Sequence, residues 1–186
     1  MSIDGIRGRL LNLTALASQY CVEVENASER GRNEFVATML QLLPKIYLEF
    51  NDIRPSSEKR AGEEDVDEFA PVDLGQEEKY YADYVDEDYY ENVRRHMETL
   101  LGPDDTYLET FEEDMKYSDT PIAASISESL ADIFQPLYNY VSIVRDTDGE
   151  ELEGAYRECH ADFASYWSQT LCNVLRALNK IYYESR

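Results

Sequence analysis

Apolar residues recur along this chain at intervals of three and four, the signature of helices that each bury one face. Leu10, Leu13, Ala17, Tyr20 and Val24 form the first such stripe and predict a helix from about Arg7 to Ala27. A second stripe of Phe35, Met39, Leu42, Leu43, Ile46, Tyr47 and Phe50 predicts a helix capped by Ser28 or Asn33. Pro44 lies inside it, where a missing N–H should bend the helix or restart it. The two segments read as an antiparallel hairpin. From Asn51 to about Gly75 the period vanishes among Pro55, Gly62, Pro71 and a run of acids, which predicts an acidic surface loop at about 51–75.

A third helix begins at Asp86 or Asp88, where Asp88 and Glu91 have capping-box spacing. It buries Val93, Met97, Leu100 and Leu101 and ends at Gly102-Pro103. Asp104 to Thr120 is acidic and irregular. Thr120-Pro121 then opens a fourth helix with the stripe Ile122, Ile126, Leu130, Ile133, Leu137, Val141 and Val144, interrupted by Pro136. Asp148 and Glu151 repeat the capping-box pattern before the last helix. Its stripe runs from Tyr156, Cys159, Phe163 and Trp167 through Leu171, Val174, Leu178 and Ile181, with Trp167 as a core anchor. At 1.5 Å per residue its length is about 50 Å, enough to brace the other helices. No strand-like alternation is visible. The fold expected is all-α: a single domain over 1–186, a bundle of about five main helices with a long C-terminal one.

Four stretches also carry a resemblance: LASQYCVEVE from Leu16 to Glu25, LLGPDDTYLETF from Leu100 to Phe111, SISESLADIF from Ser125 to Phe134, and DFASYWSQTLCNVLRALNKIY from Asp162 to Tyr182. Together they resemble a family of bacterial helical proteins known only as a domain of unknown function and common in Bacteroidetes. The resemblance implies an all-helical fold and carries no activity, cofactor or site residue. Ser129 beside Glu128, and Gln169, Thr170 and Leu171 where a histidine would be wanted, give no help to a metal site.

Charge changes the picture more than composition does. Apolar content is 43%, ample for a core, but the formal net charge is −22. Such a surface repels nucleic acid and anionic membranes and favours cations or basic partners. Arg7 and Arg9 precede an apolar run ending in Ala15-Leu16-Ala17, as in a leader peptide, yet Asn12 and Thr14 interrupt it and the helical stripe continues through it. No stretch reaches the roughly 20 apolar residues of a membrane span. Cys21, Cys159 and Cys172 are an odd set without CxxC spacing, which fits reduced thiols and a cytoplasmic location, with Cys21 and Cys172 as small core residues.

Candidate chemistry is sparse. His96 and His160 are the only histidines, and neither follows a glutamate by three residues, so the di-metal bundle pattern is absent. Both are expected on helices, semi-exposed. There is no phosphate loop, no GxSxG elbow and no calcium loop, so no cofactor is expected. Asp132 is expected to face solvent, or else to pair with Arg94, Arg95 or Arg176.

The most distinctive stretch is EEKYYADYVDEDYYE, from Glu77 to Glu91. Glu77, Glu78, Tyr80, Tyr81, Tyr84, Asp86, Glu87 and Asp88 form the candidate interaction surface, since tyrosines suit interface cores and acids set the register of a basic partner. The alternative is that the tyrosines cover the core while the acids are solvated. The reading favoured is therefore a non-enzymatic acidic helical module for a basic protein, of inhibitor, immunity or adaptor type. Self-association also remains open. The alternatives are an enzyme or metal-binding protein whose carboxylate and histidine site assembles only in three dimensions, and a DNA mimic with acids spaced like phosphates.

Overall fold

Each helix is held by the stripe that predicts it. The structure, a computed structural model, describes residues 3–53, 81–109 and 122–184. Helix α1 (Ile3–Glu25) buries Leu10, Leu13, Ala17, Tyr20 and Val24 completely. A short 3₁₀ turn (Ala27–Glu29) leads into α2 (Arg32–Asp52), whose N-cap is Gly31. Neither Ser28 nor Asn33 caps it; Arg30 instead ties the turn to Glu23 at 2.8 Å. Helix α2 continues past Pro44 without restarting there, although the proline has no N–H to give the Leu40 carbonyl.

Helix α3 (Glu87–Leu101) starts one residue after Asp86, whose carboxylate accepts from the Tyr89 N–H at 2.8 Å. Asp86, not Asp88, is thus the cap. Gly102 takes a positive φ of 57° that L side chains rarely adopt, and the helix stops there. No strand was expected, yet β1 (Thr106–Leu108) pairs antiparallel with β2 (Ala123–Ser125), Tyr107 opposite Ala124. Three residues per strand are too few for alternation to show. Pairing is fixed beside a buried carboxylate. Asp105 accepts from the Ser127 N–H at 2.7 Å and from the hydroxyls of Ser125 and Ser127 at 2.6 and 2.8 Å. This moves the start of α4 (Ile126–Asp146) to Ser125, its N-cap, rather than to Thr120-Pro121; Thr120 and Pro121 lie outside the described residues.

Helix α4 ends in a Schellman motif. Asp148 has φ +51°, its N–H bonds the Arg145 carbonyl at 3.2 Å, and the Gly149 N–H bonds the Val144 carbonyl at 2.8 Å. Asp148 therefore closes α4 instead of opening the next helix. From Leu152 the backbone stays helical to Glu184: α5 (Leu152–Asp162), a π turn (Phe163–Trp167) and α6 (Ser168–Glu184).

The central brace is α4, not the last helix. It packs on α1, α3, α5 and α6, while α6 packs chiefly on α2 and α4. An aromatic stack joins the end of α2 to the π turn, with the Phe50 ring 4.9 Å from both Phe163 and Trp167 and 5.5 Å from Tyr156. Buried hydroxyls find carbonyls, Tyr20 donating to Leu130 at 2.8 Å and Tyr156 to Ile53. The all-helical bundle expected from the stripes is what forms, with the two-strand ladder as its one addition among the described residues.

Candidate functional site

Glu77, Glu78 and Tyr80 lie outside the described residues, as does nearly all of the loop expected at 51–75. The remaining candidates do not share a face. Tyr81 and Tyr84 are half-buried and pack against the core. The Tyr81 hydroxyl donates to Glu151 Oε2 at 2.8 Å, and burial with that carboxylate pushes its pKa up to about 12. The Tyr84 N–H donates to Asn139 Oδ1 at 2.9 Å, and its hydroxyl bonds Asp146, which raises its pKa. Asp86, Glu87 and Asp88 point outward and are exposed. They also sit at the start of α3, where negative charge complements the helix dipole. The tyrosines fasten 81–85 to α4 and α5, while the acids face solvent.

That fastening leaves a cleft between 81–85, the middle of α4 and the α5–π junction. Two helix irregularities face it. Pro136 has no N–H to give the carbonyl of Asp132 four residues back. Across the cleft, the Ser168 N–H reaches back five residues to the Phe163 carbonyl, the bond that defines the π turn. One lobe, about 170 Å³, is lined by Tyr81, Tyr140, Glu158 and Cys159. The other, about 340 Å³, is lined by Asp132, Gln135, Tyr166 and Trp167. Asp83, Pro136, Asn139 and Asp162 line both and make them continuous.

Four carboxylates therefore open on one cleft, and no lysine, arginine or histidine is among the described residues lining it. Elsewhere acids have arginine partners: Glu49 and Asp52 with Arg9, Asp104 with Arg32, Glu91 and Glu98 with Arg94. Asp132 is half-buried, and its partners are tyrosines rather than solvent or an arginine. Oδ1 accepts from the Tyr90 hydroxyl and Oδ2 from the Tyr166 hydroxyl, both at 2.7 Å. Asp83 Oδ1 accepts from the Val85 N–H at 3.1 Å and from Asn139 Nδ2 at 3.0 Å. Partial burial raises the pKa of Glu158, with the charge of Asp162 adding to it, and partial burial alone raises that of Asp162. The indole of Trp167 is fully buried, and its N–H has no hydrogen-bond partner among the described residues.

A model of one protein family, a domain of unknown function (DUF5063), matches residues 7–184. The chain belongs to the DUF5063 family. This agrees with the resemblance carried by the four stretches above. No curated protein matches the DUF5063 chain. A crystal structure of protein BF1032 from Bacteroides fragilis is similar to it, with a TM-score of 0.72 at 24% identity, covering 96% of this chain and 94% of that one. At that identity the likeness shows the shared fold.

Neither histidine of this DUF5063 chain is among the described residues lining the cleft. His160 is buried among the rings of Phe50, Tyr156 and Phe163, at 6.1, 5.5 and 5.9 Å, so it is not the semi-exposed residue expected. His96 stands on a different helix, half-buried. Among the described residues no cluster of His, Cys, Asp or Glu is arranged to hold a metal, and no helix is long and apolar enough to cross a membrane. Cys21 and Cys159 are buried, and burial drives both thiols well up, which leaves them poor nucleophiles. Cys172 is exposed, contrary to the expectation of a core position, because it falls one residue off the buried stripe of Leu171 and Val174.

Proposed function

We propose that this DUF5063 protein is a non-enzymatic binding module for a basic partner, of inhibitor, immunity or adaptor type, and that the partner engages the acidic cleft. One observation carries the reading: four carboxylates line a single cleft without a basic side chain among its described lining residues. In a protein of net charge −22, a concave site of one sign focuses the field and concentrates counter-charge. The exposed Asp86, Glu87 and Asp88 extend the same sign along the chain from the cleft's edge and would steer the approach. Tyr81 and Tyr84 serve this reading as braces of the cleft, not as contact residues.

Isothermal titration with two peptides of equal length, one rich in arginine and lysine and one neutral, tests it. The basic peptide should bind and the neutral one should not. Affinity should fall as salt rises, since exposed charges are screened beyond about 8 Å at physiological ionic strength. Failure of the basic peptide to bind, or binding indifferent to salt, would overturn the reading.

A further inference from the structure

We propose that the larger lobe of the cleft is an arginine pocket: it takes the guanidinium of one arginine side chain of the partner among Asp83, Asp132 and Asp162, against the ring of Tyr166, while the Trp167 N–H donates to a carbonyl oxygen beside that side chain. The inference rests on the binding-module reading above and names the chemistry at its centre.

Three features separate guanidinium from other cations here. The carboxylates come from three elements, the 81–85 stretch, α4 and the end of α5, so they surround a ligand rather than present one flat charge. A guanidinium offers five N–H donors in a plane and is shed of water more readily than an ammonium, which suits several acceptors at once. Asp132 is already oriented: each of its oxygens accepts one tyrosine hydroxyl, at 2.7 Å, and keeps a further lone pair for an N–H donor. The Tyr166 ring, held by that same bond, is 57% exposed and offers a face for stacking.

The fourth feature points to a peptide rather than to a bare guanidine. Trp167 lines this lobe, is fully buried, and has an indole N–H without a partner among the described residues. A buried donor calls for an acceptor, and a cation brings none. A backbone carbonyl next to an arginine side chain supplies it. A second, small-molecule source of the same chemistry, a free guanidine or polyamine, supplies the charge without the carbonyl.

Trp167 is the only tryptophan in the chain, so its fluorescence reports on this lobe directly. The titrants are N-acetyl-arginine amide, N-acetyl-lysine amide, butylguanidinium and spermidine, at matched ionic strength. The arginine amide should saturate a change in emission, with the lysine amide and butylguanidinium each weaker by about 10-fold, for lack of the planar fork and of the carbonyl respectively. Asp162→Asn, which removes a rim carboxylate with no tyrosine attached, and Asp132→Asn, which keeps an acceptor for Tyr90, should each lower arginine-amide affinity by a similar factor while circular dichroism stays unchanged. Equal binding of arginine and lysine amides, or tighter binding of spermidine, would overturn the arginine assignment. If the basic peptide of the preceding test binds both variants as well as it binds the native chain, the pocket is refuted and the module reading stands. If that peptide does not bind at all, both fall.

Discussion

Gly154 and Tyr81 give the sharpest test of how the cleft is braced. A Cβ built on Gly154 would fall well inside van der Waals contact with the Tyr81 hydroxyl oxygen, yet only 3.5 Å from Cζ of the same ring and 3.4 Å from Glu151 Oε2. The hydroxyl alone is the obstacle. Gly154→Ala on its own brings two opposed terms. Replacing glycine inside a helix is favourable by up to about 1 kcal/mol, somewhat less in the first turn of α5. Against that, Tyr81 must swing away and give up its bond to Glu151, a hydrogen bond to a charged acceptor worth about 1.5–3 kcal/mol and nearer the lower end for a half-buried ring. The native background should therefore lose about 1 kcal/mol. In a Tyr81→Phe background the obstacle and the bond are both gone, so the same change should stabilise by about 0.5–1 kcal/mol. The coupling between the sites is then about 1.5–2 kcal/mol, measured by urea denaturation of the four proteins of the cycle. A Gly154→Ala effect equal in both backgrounds would refute the packing of Tyr81 over α5, and with it the fastening of 81–85.

Further outcomes follow from the same geometry. Tyr90→Phe should cost about 1–2 kcal/mol in urea denaturation, since it leaves a half-buried Asp132 with one fewer donor, and Tyr166→Phe should cost less because its ring is mostly exposed. Of the three thiols, Cys172 should react with a disulfide reagent in the native protein, and Cys21 and Cys159 only after unfolding; three fast thiols would contradict the packing of α1 on α5. Glu158 and Asp162 have raised pKa values, so the native state binds more protons than the unfolded chain and stability from these groups is present in acid and lost as pH rises through their folded pKa values. Glu158→Gln and Asp162→Asn should accordingly raise the melting temperature at about pH 8 and leave it little changed at about pH 2, below the ordinary carboxylate range, where both groups are protonated in either state.

The helices were legible because their evidence is local: a stripe such as Tyr156, Cys159, Phe163, Trp167, Leu171 has a period, and a period needs no knowledge of the partner. Helix ends were less legible, since several signals compete within one turn. Asp148 followed by Glu151 has capping-box spacing, but Asp148-Gly149 also suits the left-handed close of a helix, and α4 uses it so. The pairing of β1 with β2 hangs on Asp105 reaching Ser127 across 22 residues, a contact that no window of sequence contains. His160 belongs with these: one turn from Tyr156 and beside Cys159, it shares the edge of a buried stripe, and its burial depends on Phe50 arriving from α2.

The stretch from Tyr81 to Asp86 was undecidable for a different reason. It is not helical, so it has no face, and whether a tyrosine there points inward depends on an acceptor waiting opposite it. Glu151 and Asp146 are those acceptors, some 60 to 70 residues on, in the turn that joins α4 to α5 and at its edge. The cleft follows the same logic. Asp83, Asp132, Glu158 and Asp162 each occupy a position that a helix wheel or loop would give to solvent, and one by one each is unremarkable. What sets them apart is that tyrosines rather than arginines meet Asp132, although arginines are spent on Glu49, Asp104 and Glu91 elsewhere. A tyrosine hydroxyl holds a carboxylate in place without neutralising it. The charge at the cleft is thereby oriented and meets no basic side chain among the cleft's described lining residues, and that is the physical basis for looking to a cation from outside.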